Sequence, residues 1–437
     1  ARGKEQGAGG KEQGARGKEQ GAREASPMTL LHTDFSLGLS RIDLYALGLT
    51  SQPLALSMLL QVDGNSNLDD THELHGHIQA VELDGTKGRF YPSDIDLALL
   101  MSPDTIFANI VSGDFSLQMT SRDGVDRVGD KANRFYTELK RQLAIHNIEQ
   151  DTLKTLLPNL TMHLKSGNQN TAARIIETMG YTFNRLQLDI DCDSIAGLNG
   201  KGHVYTLNTG GVLLDTLQLH ITQDTTDVLR VGARVRNGPK NKQVVFESFV
   251  NAELTPTGTN ATMQFFDAKR RKGVDLGAQL FLEDDGYRLR FHPLNPILAY
   301  RSFTLNQDNF ILLHDDNHVE ANVNLLADDG TGFQLYSTPN DEALQDITLS
   351  VHDFNLGELS AVLPYMPSVG GILGGDFHLV QDEQSMSVLV DANVQGLSYE
   401  GAGLGHVGHH YNEKCDQLAT SAADDSENLV DDEGFNG

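Results

Sequence analysis

Apolar and polar residues alternate along most of the chain. In an extended chain successive side chains point to opposite sides, so each alternating run predicts a β-strand with one apolar and one polar face. In the first such run, Leu186, Leu188, Ile190 and Cys192 alternate with polar residues. Similar runs occupy residues 217–221, 229–235, 319–325, 347–351 and 386–394.

The segments between these runs contain residues that favour tight turns. Asp284-Asp285-Gly286 separates two alternating runs, and Asp328-Asp329-Gly330 separates two more. Asp-Gly between alternating runs indicates a hairpin, because these residues tolerate positive φ. The sequence therefore predicts antiparallel meanders with roughly sixteen to twenty strands at the usual hairpin spacing.

Residues 129–182 depart from this two-residue period. Tyr136, Leu139 and Leu143 have helical spacing, Asp151 has the position of an N-cap with Pro158 near the end of that helix, and a third helix is predicted over 170–180. The block is interpreted as two or three short amphipathic helices inserted between β regions. Two interpretations of these helices are open. Their apolar faces either pack on the sheet, or cover an opening or an edge strand.

The two ends of the chain differ from its middle. A Gly-Lys-Glu-Gln-Gly-Ala unit repeats three times near the start, and the last residues are acidic and small. Neither segment can bury enough apolar surface to offset its ordering entropy, so both are predicted to be disordered. The predicted segments are a low-complexity arm (1–28), a β-rich repeat region (29–128), a helical insertion (129–182), a β-groove region (183–405) and an acidic tail (406–437).

Composition narrows the classes of function. The 437 residues carry 60 acidic and 33 basic side chains, a formal net charge of −27, which argues against nucleic-acid binding. No apolar stretch approaches the roughly 18 residues of a membrane-spanning helix. The 2 cysteines do not form a disulfide framework.

Three aspartates form the first candidate for chemistry. Asp189, Asp191 and Asp193 lie two residues apart, so a strand places their carboxylates on one face, as in a calcium site, an acid/base cluster or a carbohydrate-binding site. An EF-hand loop beginning at Asp189 needs Gly and Glu where Ser194 and Gly200 stand. The solvent face of an amphipathic strand requires the same alternation, and this simpler interpretation is preferred.

Other motifs match known sites only in part. His72, His75 and His77 are closely spaced but lack the His-Glu-x-x-His order of a zinc protease. Residues 403–408 match the dinucleotide fingerprint Gly-x-Gly-x-x-Gly, but no β-α-β pattern surrounds them. Cys192 lies on the apolar side of its run, as a buried thiol does. No catalytic residue, cofactor or metal site is predicted, and the protein is not expected to be an enzyme.

The apolar faces of so many strands need a cover. The few helical residues cannot supply it, so the predicted fold is mainly β: an elongated antiparallel β-taco, a curled half-open sheet with a short α-helical insertion. An apolar trough suits acyl chains, since each buried methylene contributes about 0.8 kcal/mol without needing a specific side chain. The predicted lining residues are Leu217, Leu219, Ile221, Val231, Val319, Val323, Leu349, Val351, Val388 and Val390.

Several segments resemble TamB proteins of the AsmA-like superfamily. A segment that recurs in that family resembles three parts of this chain: Asp-Phe-Asn-Leu-Gly-Glu-Leu at 353–359, Leu-Pro at 363–364 and the glycine-rich residues 371–379. Residues 34–39 have a similar sequence. Residues 293–301, 303–306 and 309–311 are similar to the bacteroidete branch of TamB. The resemblance covers residues 29 to about 405. The membrane anchor and the C-terminal β domain of the family have no counterpart, so an internal fragment of a longer chain is expected.

The resemblance implies a function in the cell envelope. It suggests a periplasmic protein, tethered to the inner membrane, that conducts phospholipid acyl chains between the inner and outer membranes. An Omp85-type outer-membrane assembly protein is the implied partner, and no nucleic acid is involved. The alternative is a structural or adhesive envelope protein of β-sandwiches whose apolar faces pack only on each other.

Overall fold

The structure is a computed structural model that describes residues 30–145, 148–223, 228–340, 343–382, 385–400 and 402–403. Over these residues the chain forms one antiparallel sheet of 25 strands, with four helices. The sheet is curled, elongated and not closed into a barrel, which confirms the predicted fold class. The predicted disordered arm and acidic tail lie outside the described residues.

The strands follow the chain in order, and several are very short. The first nine are β1 (Leu31–Asp43), β2 (Leu54–Ser66), β3 (His72–Gly85), β4 (Gly88–Phe90), β5 (Ile95–Ser102), β6 (Thr105–Ser112), β7 (Phe115–Ser121), β8 (Leu160–Ser166) and β9 (Arg185–Asp193). The next eight are β10 (Gly197–Asn208), β11 (Leu213–Gln223), β12 (Leu229–Asn237), β13 (Phe246–Thr255), β14 (Gly258–Asp267), β15 (Lys272–Glu283), β16 (Gly286–Leu298) and β17 (Arg301–Ser302). The last eight are β18 (Thr304–Leu305), β19 (Phe310–His314), β20 (Val319–Leu326), β21 (Gly332–Ser337), β22 (Gln345–Asn355), β23 (Val369–Gln381), β24 (Met386–Tyr399) and β25 (Ala402–Gly403).

The sheet is a meander, because each long strand pairs with its neighbours along the chain. Three very short strands interrupt this order. β4 pairs only with β3, so β5 also pairs with β3. β17 pairs with β16 and β18 pairs with β20, so β19 pairs with β16 beyond them. The predicted hairpins are confirmed. Glu283 lies opposite Gly286 across the turn at 284–285, and Leu326 lies opposite Gly332.

The helices are α1 (Val125–Ala144), α2 (Gln150–Thr155), α3 (Thr171–Thr178) and α4 (Leu356–Ser360). Asn170 caps α3 by accepting from the backbone N–H of Ala173. The predicted N-cap at Asp151 is wrong: Glu149 holds that position and Asp151 lies in the first turn of α2, where a carboxylate interacts favourably with the helix dipole.

The block 129–182 is not wholly helical. Strand β8 lies between α2 and α3 and pairs with both β7 and β9, so one sheet runs through the two β regions that the sequence had separated. The apolar alternation of Leu160, Met162 and Leu164 is the sequence signal for this strand. This run falls between two helical patterns, so the sequence pattern alone places it within the helical insertion.

Successive turns fall on two long edges of the sheet. The first edge carries the connections 67–71, 103–104, 122–159 and 194–196, and therefore α1 and α2. The opposite edge carries the connections 44–53, 113–114, 167–184, 209–212 and 356–368, and therefore α3 and α4. Helical residues thus cover parts of both edges of one sheet.

Buried side chains concentrate near the opposite edge. One core cluster is formed by Phe303, Leu305, Val323, Leu325 and Phe354. Two smaller clusters occupy the same edge, and they consist of Phe246, Phe265, Val274 and Val362, and of Leu44, Leu54 and Leu83. All three clusters lie on the same hydrogen-bonded sheet.

The segment of residues 353–363 builds one of these edge covers. Phe354, at the end of β22, is buried in the first cluster. The next residue, Asn355, caps α4 by accepting from the N–H groups of Gly357 and Glu358 at 2.9 and 3.2 Å. The short helix directs Leu359 and the following Val362 onto the buried clusters.

Candidate functional site

The apolar residues of all the long strands share one face of the sheet. Directly opposed residues of antiparallel strands project from the same side, so the register shows which side chains are neighbours. One row across β11–β15 consists of Leu219, Ala233, Val250, Met263 and Leu276. A second row across β20–β24 consists of Val323, Leu335, Leu349, Phe377 and Val390. We call this side the apolar face and the other side the polar face.

Helices α1 and α2 cover the apolar face along the first edge. Leu153 and Leu157 are buried there. Together with α1 they enclose an apolar cavity against the strand ends of β10, β12 and β13. Its lining includes Phe135, Leu139, Leu153, Leu157, Leu198, Leu229 and Leu254. The insertion therefore packs on the sheet and at the same time covers its first edge.

A second cover lies on the opposite edge of the same strands. Val362 is fully buried among Phe246, Phe265 and Val274. Tyr365 packs beside them, and its hydroxyl donates to the carbonyl oxygen of Leu213 at 2.6 Å. The connection after α4 is thereby fixed over the ends of β11, β13, β14 and β15.

The apolar face is open between these two covers. Leu219 of β11, Val231 of β12 and Val250 of β13 are 46%, 38% and 44% exposed. Exposed branched aliphatic residues on three adjacent strands form a contiguous apolar surface, and such surfaces mark binding sites when they are large. We call this surface, defined by Leu219, Val231 and Val250, the central trough.

Small residues keep the central trough wide. Gly200 and Gly202 of β10 lie opposite Ile221 and Leu219 on the apolar face. A row of alanines continues across the neighbouring strands, and it consists of Ala252, Ala261 and Ala278. Side chains this short leave space above the sheet that larger residues would fill.

The ten predicted lining residues all project from the apolar face, but their surroundings differ. Leu219 and Val231 belong to the central trough. Five are half-buried, and these are Leu217, Ile221, Val319, Leu349 and Val351. Val323 is 2% exposed because Phe303 and Phe354 close over it. Val323 thus lies in a closed core and not on an open wall, which corrects the prediction at that position.

Val388 and Val390 are exposed for a different reason. Both belong to β24, which lies at the end of the meander. Leu389 projects from the polar face of the same strand and is also exposed. Exposure on both faces indicates the free edge of the sheet, so these two valines are not part of the central trough.

The sequence prediction missed Val250, although it lies in the centre of the trough. Phe249 and Val250 are consecutive apolar residues, and they break the alternation on which the prediction depended. Phe249 lies on the polar face, where Arg234 stacks over its ring at 5.4 Å and Phe266 contacts its edge. The aromatic residue is thus accommodated by a cation–π contact outside the apolar face.

The aspartate trio belongs to the polar face and is occupied by local hydrogen bonds. Asp189 pairs with His163 Nδ1 at 2.8 Å, and Asp191 accepts from the Thr161 hydroxyl at 3.0 Å. The bond to His163 lowers the pKa of Asp189 below its ordinary value. Asp193 accepts from two backbone N–H groups in the turn at 194–196. These contacts link neighbouring strands and turns, as the solvent-face interpretation requires.

The three closely spaced histidines are divided between the two faces. His72 lies on the apolar side at the first edge, where its Nδ1 is 2.8 Å from the Ser66 hydroxyl. His75 and His77 lie on the polar face, and His77 pairs with Asp96 at 2.7 Å. The structure therefore does not bring the three rings together around one metal.

The remaining sequence candidates give no reactive centre. Cys192 is a buried free thiol on the apolar face, which confirms the prediction, and burial raises its pKa. Residues 404–408 of the dinucleotide fingerprint lie outside the described residues. Among the residues that the structure describes, no helix is both long and apolar enough to cross a bilayer.

Glu247 of β13 is a carboxylate buried on the polar face. Arg234 Nε donates to it at 2.8 Å and Arg270 forms a second ion pair. Burial raises the pKa of Glu247, but the hydrogen bonds from the two arginines outweigh burial and hold the pKa below its ordinary 4.5. A carboxylate with a lowered folded-state pKa stabilises the fold above its unfolded pKa, and this contribution disappears as the pH falls through the folded value.

Glu247→Gln is therefore expected to lower the free energy of unfolding by about 1–2 kcal/mol at pH 7, a value reduced because both arginines are partly exposed. The difference from the wild type shrinks as the pH falls below the unfolded-state pKa of a glutamate towards the lowered folded-state pKa of Glu247. Urea denaturation at several pH values measures it. Glu253→Gln is the control: its pair with Arg230, at 2.9 Å, is exposed and should contribute little. A pH-independent loss for Glu247→Gln would contradict this assignment.

Comparisons with known proteins add no further assignment. No protein-family model, no curated protein and no solved structure matches this chain. The apolar face is therefore the feature of this protein that bears on its function.

Proposed function

We propose that this protein is a non-enzymatic lipid-binding protein whose apolar face holds the acyl chains of phospholipids and conducts them along the sheet. The central trough is the observation that carries the proposal. Leu219, Val231 and Val250 are exposed, and two covers pack on the strand ends on either side of them. A closed structural protein has no reason to leave aliphatic side chains unpacked at the middle of its strands.

The chemistry of the trough suits hydrocarbon. Its floor consists of aliphatic side chains, with glycine and alanine beside them, so it offers contact area without directional hydrogen bonds. Each methylene transferred from water contributes about 0.8 kcal/mol. A ligand held in this way is free to move along the surface, because no single position binds it much more tightly than the next.

The length of the apolar face supports transfer rather than storage. Counted along the pairing order, β1 and β24 are separated by roughly twenty strand-to-strand steps of about 4.8 Å, or about 95 Å along the sheet. This distance exceeds the roughly 30 Å hydrocarbon core of one bilayer. An apolar face longer than one bilayer core suits exchange between two membranes better than storage of a single lipid.

The cellular setting of the proposal comes from the resemblance to TamB proteins. In this proposed setting the protein acts in the periplasm, as part of a longer chain that is tethered to the inner membrane. It transfers phospholipid towards the outer membrane. An Omp85-type assembly protein is the proposed partner at the outer membrane. These statements depend on the motif similarity, whereas acyl-chain binding depends on the geometry of the apolar face.

Site-specific photocrosslinking tests acyl-chain binding. Leu219 and His220 are consecutive exposed residues of β11 on opposite faces, so a benzophenone amino acid at each position forms a matched pair. We expect phospholipid to co-purify with the wild-type protein, as detected by mass spectrometry. We also expect crosslinks to lipid from position 219 and not from position 220. Absence of lipid, or equal crosslinking from both faces, would contradict the proposal and favour a structural or adhesive protein.

A further inference from the structure

Two histidines and a glutamate come together at the first edge of the sheet. His314 ends β19, His318 lies in the following turn and Glu320 lies in β20. Among the described residues, these three offer ligand atoms that all lie within 4.8 Å of one another. By register, Glu320 lies opposite Leu312, so His314 and Glu320 both project from the polar face, away from the central trough.

The ring of His314 lies between two carboxylates. Its Nδ1 is 3.3 Å from Asp285 Oδ2, and its Nε2 is 3.5 Å from Glu320 Oε1. The Nε2 atom is buried and has no hydrogen-bond partner. A neutral imidazole donates from one nitrogen and accepts at the other. With the proton on Nδ1 towards Asp285, the lone pair of His314 Nε2 faces Glu320 Oε1. A cation between these two atoms would accept an electron pair from each.

His318 supplies a second imidazole at the same place. Its ring stacks on that of His314 with the centroids 4.8 Å apart and the planes 12° from parallel. The turn is fixed by the His314 N–H, which donates to the His318 carbonyl at 2.8 Å, and by the His318 N–H, which donates to Asp316 at 3.0 Å. No hydrogen bond engages the His318 ring nitrogens within the described part of the chain.

The carboxylate of Asp285 reaches His314 because the β15–β16 turn lies directly against β19. A Cβ atom at Gly286 would be 2.1 Å from the Leu313 carbonyl oxygen and 2.9 Å from His314 Cα. Only glycine permits this approach. The Asp315 N–H then donates to the Asp285 carbonyl oxygen at 3.0 Å, which joins the two turns.

We propose that His314, His318 and Glu320 bind a divalent transition-metal ion, with Zn²⁺ as the best fit, and that Asp285 positions His314. Two imidazoles and a carboxylate, with water in a fourth position, form a common tetrahedral zinc ligand set. A carboxylate on the outer nitrogen of a ligating histidine fixes its tautomer. Zinc bonds of about 2.1 Å place tetrahedral ligand atoms about 3.4 Å apart. The three ligand atoms here are up to 4.8 Å apart, so the His318 ring must rotate inwards on its partly exposed turn when the ion binds.

The bound ion would connect two adjacent hairpins on the polar face. It would hold β19 to β20 directly, and the β15–β16 turn through Asp285. Because the site faces away from the trough, it would stiffen the sheet at the first edge without entering the lipid path. The metal proposal is therefore independent of the proposed function.

Calorimetric titration of the metal-stripped full chain with Zn²⁺ tests the proposal. We expect one tight equivalent per chain in the wild type, its loss in His318→Gln and in Glu320→Gln, and roughly 10–100-fold weaker binding in Asp285→Asn. Two ligand variants are used so that a loss of binding is not mistaken for a loss of folding. Gln at 320 preserves the shape of the glutamate, and Gln at 318 lies on a partly exposed turn. Circular dichroism checks that each retains the β fold.

Two controls separate this site from adventitious binding. His75→Gln alters the exposed histidine near Glu73, 3.9 Å away, and should leave the tight equivalent unchanged. The same result is expected for the combined change His406→Gln, His409→Gln and His410→Gln. A wild type that binds no zinc, unchanged binding in His318→Gln and Glu320→Gln, or loss of binding only in a control variant would each overturn the proposal.

Discussion

Val250→Arg is expected to reduce the transfer of phospholipid between vesicles by roughly 100-fold. Val250 lies in the middle of the central trough, so any acyl chain moving along the apolar face must pass its side chain. Placing arginine in hydrocarbon costs about 2.5–3.5 kcal/mol, and each 1.4 kcal/mol corresponds to a factor of ten. Transfer of a fluorescent phospholipid from donor to acceptor vesicles measures the effect.

The adjacent residue provides a matched control. Asn251 is exposed on the polar face of the same strand, between Gly232 and Thr262. Asn251→Arg introduces the same charge on the other side of the sheet and should leave transfer unchanged. Ala252→Phe is a second test without charge, because the larger ring fills the space above a trough alanine and should also slow transfer. Equal rates for Val250→Arg and Asn251→Arg would rule out the trough as the lipid path.

Phe303→Ala is expected to cost about 3–5 kcal/mol of stability, the usual range for truncating a buried aromatic residue. Phe303 is buried against Val323 and Leu325, and its ring stacks on Phe354 at a centroid distance of 6.4 Å. Removing it leaves a cavity under the cover of the opposite edge. Hydrogen exchange of the β20 and β21 amides should accelerate, and the midpoint of urea denaturation should fall.

The same substitution on an open strand gives the comparison. Phe35 of β1 projects from the apolar face but is exposed, so Phe35→Ala should change stability by about 0.5 kcal/mol or less. Phospholipid transfer measured on both variants separates folding from function. If the two substitutions lowered stability equally, the closed cluster around Phe303 would not be the core that the structure indicates.

Local residue patterns were sufficient to predict most of the fold. Alternation such as Val319, Ala321, Val323 and Leu325 specifies both the strand and its apolar side, since the side-chain period of an extended chain is two. Short turns such as Asp284-Asp285-Gly286 specify the hairpin partner, because so short a connection leaves no other strand within reach. In a meander of hairpins, strand pairing depends mainly on residues that are close in the sequence.

Predictions were less accurate where several local signals met. Strand β8 was hidden between two helical patterns, and Asp151 has an N-cap residue type although Glu149 begins α2. Val250 was missed because its neighbour Phe249 is also apolar. For β8 and Val250 the sheet register resolves the ambiguity, because it shows which residues pair with the neighbouring strands. The N-cap of α2 is decided by where the backbone becomes helical.

The sequence by itself determined that this protein is a mainly β chain with one apolar side. Only the tertiary structure decided where that side is covered: Val323 and Val231 have the same pattern, yet one is buried beneath Phe303 and the other is open in the trough. The metal ligands likewise meet only because Gly286 lets a distant turn approach His314. Alternation records which side of a strand is apolar, whereas exposure depends on segments that return from elsewhere in the chain to cover it.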